Sequence, residues 1–277
     1  MAGADVFRRC ARAILEADGL LVTAGAGLGV DSGLPDFRGT QGFWRAYPAL
    51  GRAKIAFESI ASPAAFESNA RLAWGFYGHR LALYRRTVPH EGFALLKKIG
   101  ASMPGGAFVF TSNVDGQFQT AGFDSERVCE IHGSIHHLQC MQGCSADIWP
   151  ATEFAPEIDA ENCLLRSSLP TCPRCGSLAR PNILMFGDWG WIDSRTREQH
   201  EALQAWFGGI RRPVAIEVGA GTAIPSVRHF GEASHGTLIR INPTEPDVPS
   251  GKGFGLRMAG LEGIRGIAQS LFGEQTR

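Results

Sequence analysis

Short apolar segments that end in glycine or a polar residue alternate along this chain with segments of helical spacing, and this alternation constrains the fold more than any other feature. The predicted strands are 19–24, 107–112, 127–131, 182–186, 214–218 and 237–241, and the predicted helices are 5–17, 63–86, 89–99, 195–207 and 261–272. Brief apolar runs bounded by turn residues are typical of buried strands. Strands that alternate with helices predict an α/β domain with a parallel sheet.

The residues that follow the predicted strands are glycines, amides and one imidazole: Gly25, Asn113, His132, Gly187, Gly219 and Asn242. In an open parallel sheet, ligands bind in the crevice at the carboxyl ends of the strands. We therefore expect these six positions to converge on a single site.

Composition excludes several classes of protein. The 277 residues are 44% hydrophobic and 19% charged, a balance that provides a sizeable core and excludes a disordered chain. Lys and Arg together number 27, as do Asp and Glu, so bulk charge does not favour nucleic acid. No apolar run approaches the roughly 18 to 20 residues of a membrane helix, and the first residues lack a secretory core. We expect a cytoplasmic protein with neither a nucleic-acid nor a membrane partner.

Four of the seven cysteines form two close pairs, Cys140 with Cys144 and Cys172 with Cys175. In a cytosolic protein such pairs are typical of metal ligands rather than of disulfides. Four thiolates complete the tetrahedral shell of a structural zinc ion and leave no position for a substrate. The pattern predicts one structural Zn²⁺. The alternatives are unrelated buried thiols, or a ligand set in which Cys163 replaces one of the four.

The sequence Gly25-Ala26-Gly27 follows the first predicted strand. Glycines at that point allow a backbone to approach a pyrophosphate closely. The spacing is not GxGxxG, and no acidic residue stands about twenty positions further on to hold a ribose. A tight turn between a strand and a helix is the alternative interpretation.

Polar residues also follow the second and third predicted strands. Asn113 and Asp115 are either ligands at the sheet edge or members of an ordinary side-chain turn. His132 ends the third strand, and an imidazole beside those two residues is a candidate general base. His136 and His137 are nearer in sequence to the cysteines, where surface or supporting roles are expected.

Taken in order, these motifs resemble those of the sirtuins, the Sir2 family of NAD-dependent protein deacylases. In this chain they read GAGLGVDSGLPDFR at 25–38, TSNVDGQFQTAG at 111–122, EIHGS at 130–134, the two cysteine pairs, FGD at 186–188, GAGTAIP at 219–225 and IN at 241–242.

The resemblance implies a Rossmann-like parallel sheet flanked by helices, formed by 1–45, 88–138 and 180–277. It implies a small lobe made of a helical insertion, 46–87, and a zinc-binding module, 139–179. NAD is the implied co-substrate, in the cleft between them. The implied NAD contacts come from three regions of the chain: Ala24, Gly25, Ala26, Asp36, Phe37, Arg38, Ser112, Asn113, Asp115, Gly219, Gly221 and Asn242.

The resemblance also implies a reaction. The carbonyl oxygen of an acyl-lysine displaces nicotinamide from NAD, and His132 then takes a proton from a ribose hydroxyl, with Asn113 as the second implied catalytic residue. The products are nicotinamide, O-acyl-ADP-ribose and free lysine in an acylated protein or peptide substrate. Phe186 and Gly187 are the implied substrate contacts. Tyr77 and Arg80 match a pair that some sirtuins use for acidic acyl groups, although a core tyrosine and a solvent-exposed arginine are the alternative.

Several positions depart from the family pattern. Ser112 stands where the family has glutamine, Gly29 where it has serine, and Ala220 where it has threonine. Gln117-Phe118 stands where the family has Leu-His. Asp188 is followed by Trp189-Gly190-Trp191. These changes concentrate where the peptide groove is expected. The sequence therefore supports NAD use more firmly than acyl-lysine use. An ADP-ribosyltransferase or NAD hydrolase, a catalytically weak NAD sensor and a zinc-ribbon nucleic-acid binder are the alternatives.

Overall fold

The computed structural model describes residues 2–35 and 39–273. Its strands are β1 Gly19–Ala24, β2 Ala107–Thr111, β3 Val128–Glu130, β4 Gly133–Cys140, β5 Ile148–Pro150, β6 Ile158–Asp159, β7 Leu164–Leu165, β8 Ala179–Ile183, β9 Pro213–Val218, β10 Thr237–Ile241 and β11 Gly253–Leu256. Its helices are α1 Ala2–Leu15, α2 Gly39–Ala46, α3 Pro48–Arg52, α4 Phe57–Ile60, α5 Pro63–Arg86, α6 Glu91–Ala101, α7 Gln117–Thr120, α8 Ser194–Gly208, α9 Ser226–Ala233 and α10 Gly260–Phe272. Turns of 3-10 helix occupy Ala26–Ser32 and Ser125–Arg127.

The main sheet has six parallel strands in the order β11-β10-β9-β1-β2-β3. All residues of β1 and β9 are buried, because helices cover both faces. α1, α6 and α10 pack on one face, and α8 and α9 pack on the other. This confirms the expected Rossmann-like α/β fold. The chain runs outward from β1 in both directions, so the strand order reverses between β1 and β9, where such sheets bind ligands.

One predicted strand belongs to a different sheet. Only Asn182 and Ile183 of the segment predicted at 182–186 lie in a strand, β8, which pairs antiparallel with β4 in a three-stranded sheet of order β5-β4-β8. The prediction of a parallel strand there was wrong, because an apolar run in the sequence does not show which sheet it joins, and Leu184 and Phe186 are each 39% exposed. The sixth parallel strand is β11, in a region for which the sequence predicted no strand. Its two glycines, Gly253 and Gly255, weaken any strand signal.

The long helix α5 has the predicted bounds and an internal break. The Ser62 hydroxyl accepts a hydrogen bond from the Ala65 amide at 3.3 Å, as expected of an N-cap. Asn69 has non-helical backbone angles, and its side chain accepts a bond from the Leu72 amide at 3.1 Å. Asn69 thereby caps the second part of the helix, a break that the helical periodicity did not reveal.

A second hydrophobic core lies apart from the core of the main sheet. It is built from aromatic side chains of α2 and α5 together with residues of β4, β7 and β8. It also includes Leu34, Val114 and Met185, which lie outside the proposed insertions 46–87 and 139–179. Those two boundaries remain predictions. In the described part of the chain, none of the helices has the length and apolar character needed to cross a bilayer.

Candidate functional site

Two glycine loops pack backbone against backbone where the strand order reverses. The Gly25 amide donates to the Val218 carbonyl at 3.0 Å, and the Gly27 amide donates to the Gly219 carbonyl at 3.0 Å. Gly219 has φ +65°, and a Cβ atom there would lie 2.4 Å from the carbonyl carbon of Gly27. Only glycine fits this contact. The loops therefore present main chain to the crevice, as a phosphate-bearing ligand requires. Ala26 and Gly221 are exposed beside them.

The end of β2 is tied to the first of these loops. The Thr111 hydroxyl and the Ser112 amide both donate to the carbonyl of Ala24, at 2.9 and 3.2 Å. The Asn113 side chain donates to the Gly25 carbonyl at 3.1 Å. The half-buried amide of Asn113 is therefore fixed against the glycine loop, as the convergence of strand ends predicted.

Asp115 is a buried carboxyl group at the same edge. Its Oδ1 accepts a hydrogen bond from the Gln117 amide at 2.9 Å. Burial raises the pKa of Asp115 to about 6, and the charge of Glu130 raises it further, whereas the Gln117 amide and Arg80 oppose the rise. Asp115 therefore changes charge near neutral pH, a property that points to a functional site.

His132 is half-buried one residue beyond Ile131, which follows β3. Burial lowers the pKa of His132, and a hydrogen bond with the backbone of Ser112 opposes this shift. The imidazole is therefore neutral at pH 7 and able to accept a proton. The Ile131 amide donates to the Thr111 carbonyl at 2.9 Å, so the candidate base follows β3 beside the turn that carries Asn113 and Asp115.

Asn242 supports the second glycine loop. It is fully buried, and its side chain donates to the Ala220 carbonyl at 2.9 Å. Its Oδ1 accepts bonds from the Thr244 and Glu245 amides, both at 3.0 Å. The side chain of Asn242 thus holds the Gly219–Gly221 loop in place.

Sequence reasoning missed a polar contact beside this loop. The Thr222 hydroxyl donates to the Glu245 carboxylate at 2.7 Å. Arg228 donates to the backbone carbonyl of Glu245. In the sequence, Glu245 is simply an acidic residue in a loop rich in proline. That pattern is too common to indicate a contact with the glycine loop.

The segment after β8 lies beside the candidate site, although it does not follow a strand of the parallel sheet as expected. Gly187 does not follow a strand of the parallel sheet, whereas the other five positions follow β1, β2, β3, β9 and β10 at its carboxyl edge. Instead, the Leu184 amide donates to the His132 carbonyl at 3.0 Å. Phe186 is 39% exposed, with its ring 5.8 Å from the ring of Phe57. This apolar segment therefore begins directly beside His132.

A buried ion pair shapes that segment. Arg180 binds both carboxylate oxygens of Asp188, at 2.7 and 2.8 Å, and both side chains are almost completely buried. Trp189 follows and is 99% exposed. The loop is therefore anchored by the buried Arg180–Asp188 ion pair and exposes the large apolar side chain of Trp189 to solvent.

Tyr77 and Arg80 both lie in the interior, which excludes the interpretation of Arg80 as a solvent-exposed side chain. Arg80 is 8% exposed, and its Nε donates to the Tyr84 hydroxyl at 2.9 Å. Its guanidinium lies 5.2 to 5.7 Å from the ring centres of Phe76, Tyr77 and Tyr84. The positive charge of Arg80 also opposes the raised pKa of Asp115.

Three of the predicted NAD contacts, Asp36, Phe37 and Arg38, lie outside the described residues. Their proposed role remains a prediction from the sequence.

The four paired cysteines meet in one cluster. Their sulfur atoms all lie within 4.8 Å of one another, with Cys140 3.7 Å from Cys175 and Cys144 3.6 Å from Cys172. Sulfurs bound to one tetrahedral zinc at about 2.3 Å are about 3.8 Å apart. The donor set therefore fits a structural zinc ion. Cys163 is not one of the four, so it does not replace a ligand.

The chain is similar to several known proteins. Residues 25–205 match the Sir2 family. An NAD-dependent protein deacylase of Aquifex aeolicus is 30% identical over 83% of this chain and 85% of its own length. Another, of Pyrococcus furiosus, is 33% identical over 79% of each chain.

Solved structures show the same likeness. A Sir2 homolog in complex with NAD is 25% identical, with a TM-score of 0.73 over 95% of this chain and 93% of its own. A mutant Sir2 homologue in complex with ADP ribose is 23% identical, with a TM-score of 0.71 over 96% of each chain, a likeness that shows the fold alone.

Proposed function

The chain belongs to the Sir2 family, and we propose that it is an NAD-dependent protein-lysine deacylase, which moves the acyl group of a lysine side chain onto ADP-ribose and releases nicotinamide. The observation that carries this proposal is the arrangement at the strand ends: Asn113 is bound to the glycine loop at Gly25, and His132 follows Ile131, whose amide donates to the Thr111 carbonyl at 2.9 Å. A poised base beside a backbone cradle for phosphates is what this reaction requires. The NAD-dependent deacylases that are 30 to 33% identical to this chain support the same activity.

NAD would be held along the edge where the strand order reverses. Gly25 and Ala26 would meet the pyrophosphate through their backbone, with Ala24 supporting them. The loop at Gly219 and Gly221, held by Asn242, would meet the adenosine. Asn113 and Asp115, with Ser112, would meet the nicotinamide end. Asp36, Phe37 and Arg38 are expected to complete the site.

NAD supplies the leaving group and the electrophilic sugar carbon. His132 would accept a proton from a ribose hydroxyl, because the lowered pKa keeps its imidazole unprotonated. Asn113, fixed by its bond to Gly25, would orient the reacting sugar. If the nicotinamide end binds beside Asp115, the burial of that side chain would help to exclude water there and limit plain hydrolysis of NAD.

The zinc site would be structural. Four cysteine ligands, Cys140, Cys144, Cys172 and Cys175, fill a tetrahedral shell and leave no open position for a reactant. The ion would stabilise the module between β4 and β8 and would take no part in the chemistry.

The substrate would be an acylated lysine in a protein or peptide, bound along the segment that contains Phe186 and Gly187. An acidic acyl group such as succinyl is a second candidate, to be bound by Arg80 with Tyr77. The burial of Arg80 and its charge favour this candidate, because a guanidinium held away from water pairs strongly with a carboxylate. A cytoplasmic location without a nucleic-acid or membrane partner stays a prediction from composition.

The test is a product balance. The purified chain is incubated with NAD and either an acetyl-lysine or a succinyl-lysine peptide, and nicotinamide, free lysine peptide and O-acyl-ADP-ribose are quantified. Equal amounts of the three products, formed only with peptide present, are expected. Release of nicotinamide without peptide would instead support the NAD hydrolase or ADP-ribosyltransferase alternative. Absence of release despite NAD binding would support a sensor.

A further inference from the structure

Strand β4 begins immediately after His132 and holds the turn that carries Asn113 and Asp115. The Ile135 amide donates to the Val114 carbonyl at 3.0 Å. The Nε2 atom of His136 lies 2.8 Å from the Asp115 carbonyl oxygen. A carbonyl oxygen only accepts, so Nε2 carries the hydrogen. Two consecutive residues of β4 therefore bind two consecutive carbonyls of the turn.

The ring of His136 is fitted to this position. A Cβ atom on Gly116 would lie 2.8 Å from ring atoms of His136, and Gly116 has φ +70°. The pairing of β4 with β8 shifts register between Ser134 and Leu138. Such an irregularity redirects side chains from the regular alternation of a strand. Here one imidazole is directed at the turn, and glycine leaves room for it.

His136 and Gly116 of the turn both border a cavity. The cavity has a volume of about 740 Å³, and Gly116, His136, His137 and Arg195 are among its lining residues. Arg195 is bound at 2.5 Å to the buried carboxylate of Glu130. Burial lowers the pKa of His136, with smaller opposing effects from the Asp115 backbone and Glu130. The ring is thus a neutral group that contacts the turn through Nε2 and also borders the cavity.

We propose that His136 is a positioning residue for NAD: by holding the Asp115 carbonyl, it fixes the turn at the nicotinamide end relative to His132. This inference rests on the proposed function. It assigns His136 no contact with a reacting atom. Loss of its hydrogen bond would weaken NAD binding without removing the base.

His137 provides a matched control. It is the next residue in β4, it is half-buried, and it lines the same cavity. Its Nδ1 is buried and has no hydrogen-bond partner among the described residues. If His136 served only in packing, His136→Leu and His137→Leu would have similar effects on NAD affinity and melting temperature. A positioning role would affect NAD only at residue 136.

The experiment measures the NAD dissociation constant by calorimetry, and kcat, KM and melting temperature, for His136→Leu, His136→Gln, His136→Asn and His137→Leu. His136→Leu should weaken NAD binding about fivefold to tenfold, which is the loss of one hydrogen bond. His136→Gln should restore most of it, because the glutamine amide reaches the place of Nε2, whereas the shorter asparagine should not. His137→Leu should leave NAD binding unchanged.

Equal NAD affinity in all variants would overturn the proposal, and so would an equal loss in His137→Leu. If His136→Leu does not fold, the comparison of glutamine with asparagine decides the question. The calorimetry needs no turnover. An inactive wild-type chain would therefore contradict the proposed function. The NAD dissociation constants of the variants would still test the role of His136.

Discussion

The side-chain amide of Asn113 donates a hydrogen bond to the carbonyl of Gly25 at 3.1 Å. This bond joins the end of β2 to the glycine loop after β1, although the two residues are far apart in sequence. The position proposed for nicotinamide and the position proposed for pyrophosphate therefore belong to one hydrogen-bonded unit. A change at either residue should affect both ends of the bound dinucleotide.

Replacement of His132 by alanine should lower deacylation by about 10² to 10⁴-fold, since that is the contribution of a positioned general base. NAD should still bind, because the glycine loops are unchanged. Single-turnover deacylation and calorimetry measure the two effects. His229→Ala, at an exposed histidine of α9, is the control. Full deacylation by His132→Ala would exclude a role as base.

The raised pKa of Asp115 should make folding stability depend on pH. The pKa of Asp115 in the folded state, about 6, lies above the ordinary value of 3.8 for an aspartate, so the folded state binds the proton more tightly. Protonated Asp115 therefore contributes to the free energy of unfolding at low pH, and this contribution is lost as the pH rises through about 6. Asp115→Asn, which stays neutral, should therefore be more stable than wild type at pH 8 by about 1 to 3 kcal/mol.

Urea unfolding at pH 5 and pH 8 tests this expectation for Asp115. Glu67→Gln, which neutralises an exposed carboxylate of α5, should give the same stability difference from wild type at both values. A stability gain of Asp115→Asn that does not grow between the two pH values would contradict the predicted linkage. The same variant should bind NAD less well, since the carboxylate is proposed to meet the nicotinamide end.

Zinc removal should unfold the module between β4 and β8, because metal binding is coupled to folding in such sites. Metal analysis should find one zinc ion per chain. Cys172→Ser should lose zinc and lower the melting temperature. Cys163→Ser, which changes a buried thiol outside the cluster, should retain the full zinc content. A metal-free chain with unaltered melting would refute the structural role.

Arg80→Met should reduce desuccinylation more than deacetylation. Methionine keeps the apolar contacts with the neighbouring rings but removes the charge that would pair with a carboxylate. The ratio of kcat/KM for the two peptides measures the effect. Arg85→Met is a control on the same helix, since Arg85 binds the backbone carbonyls of Ala151 and Phe154. Equal losses for both peptides would eliminate the idea of an acidic acyl group.

Gly219→Ala should destabilise the fold by more than about 2 kcal/mol, because it combines a left-handed backbone with a direct overlap. The added methyl would lie 2.4 Å from Gly27. Gly221→Ala is the matched control for stability, since nothing lies within 4 Å of its Cβ position. Thermal unfolding should separate the two variants, and equal melting temperatures would argue against the packed loops.

Much of the fold followed from buried apolar runs. The strands at 19–24 and 237–241 and the helix at 63–86 have the predicted bounds, because each combines a strong pattern with a clear end signal. β8 was assigned to the wrong sheet, since burial alone does not identify a strand's partners. β11 was missed because its glycines carry no apolar signal. Both errors concern pairing between distant segments rather than local structure.

The candidate site was predictable at the strand ends and less so elsewhere. Asn113 and His132 follow from the rule that ligands bind where parallel strands end. The burial of Arg80 depends on aromatic rings from three turns of one helix, which periodicity does not resolve. His136 was assigned a surface or supporting position. Its bond to Asp115 arises from an irregular pairing of β4 that has no signature in the sequence.

The eight residues of β4 run from Gly133, next to His132, to Cys140 in the metal cluster. The same short strand thus connects the imidazole at one end with a thiolate at the other. Cys175, in that cluster, is exposed. Oxidants that react with the thiolates and release the zinc ion should therefore abolish deacylation without reacting with His132. Addition of a reductant together with zinc should restore the activity.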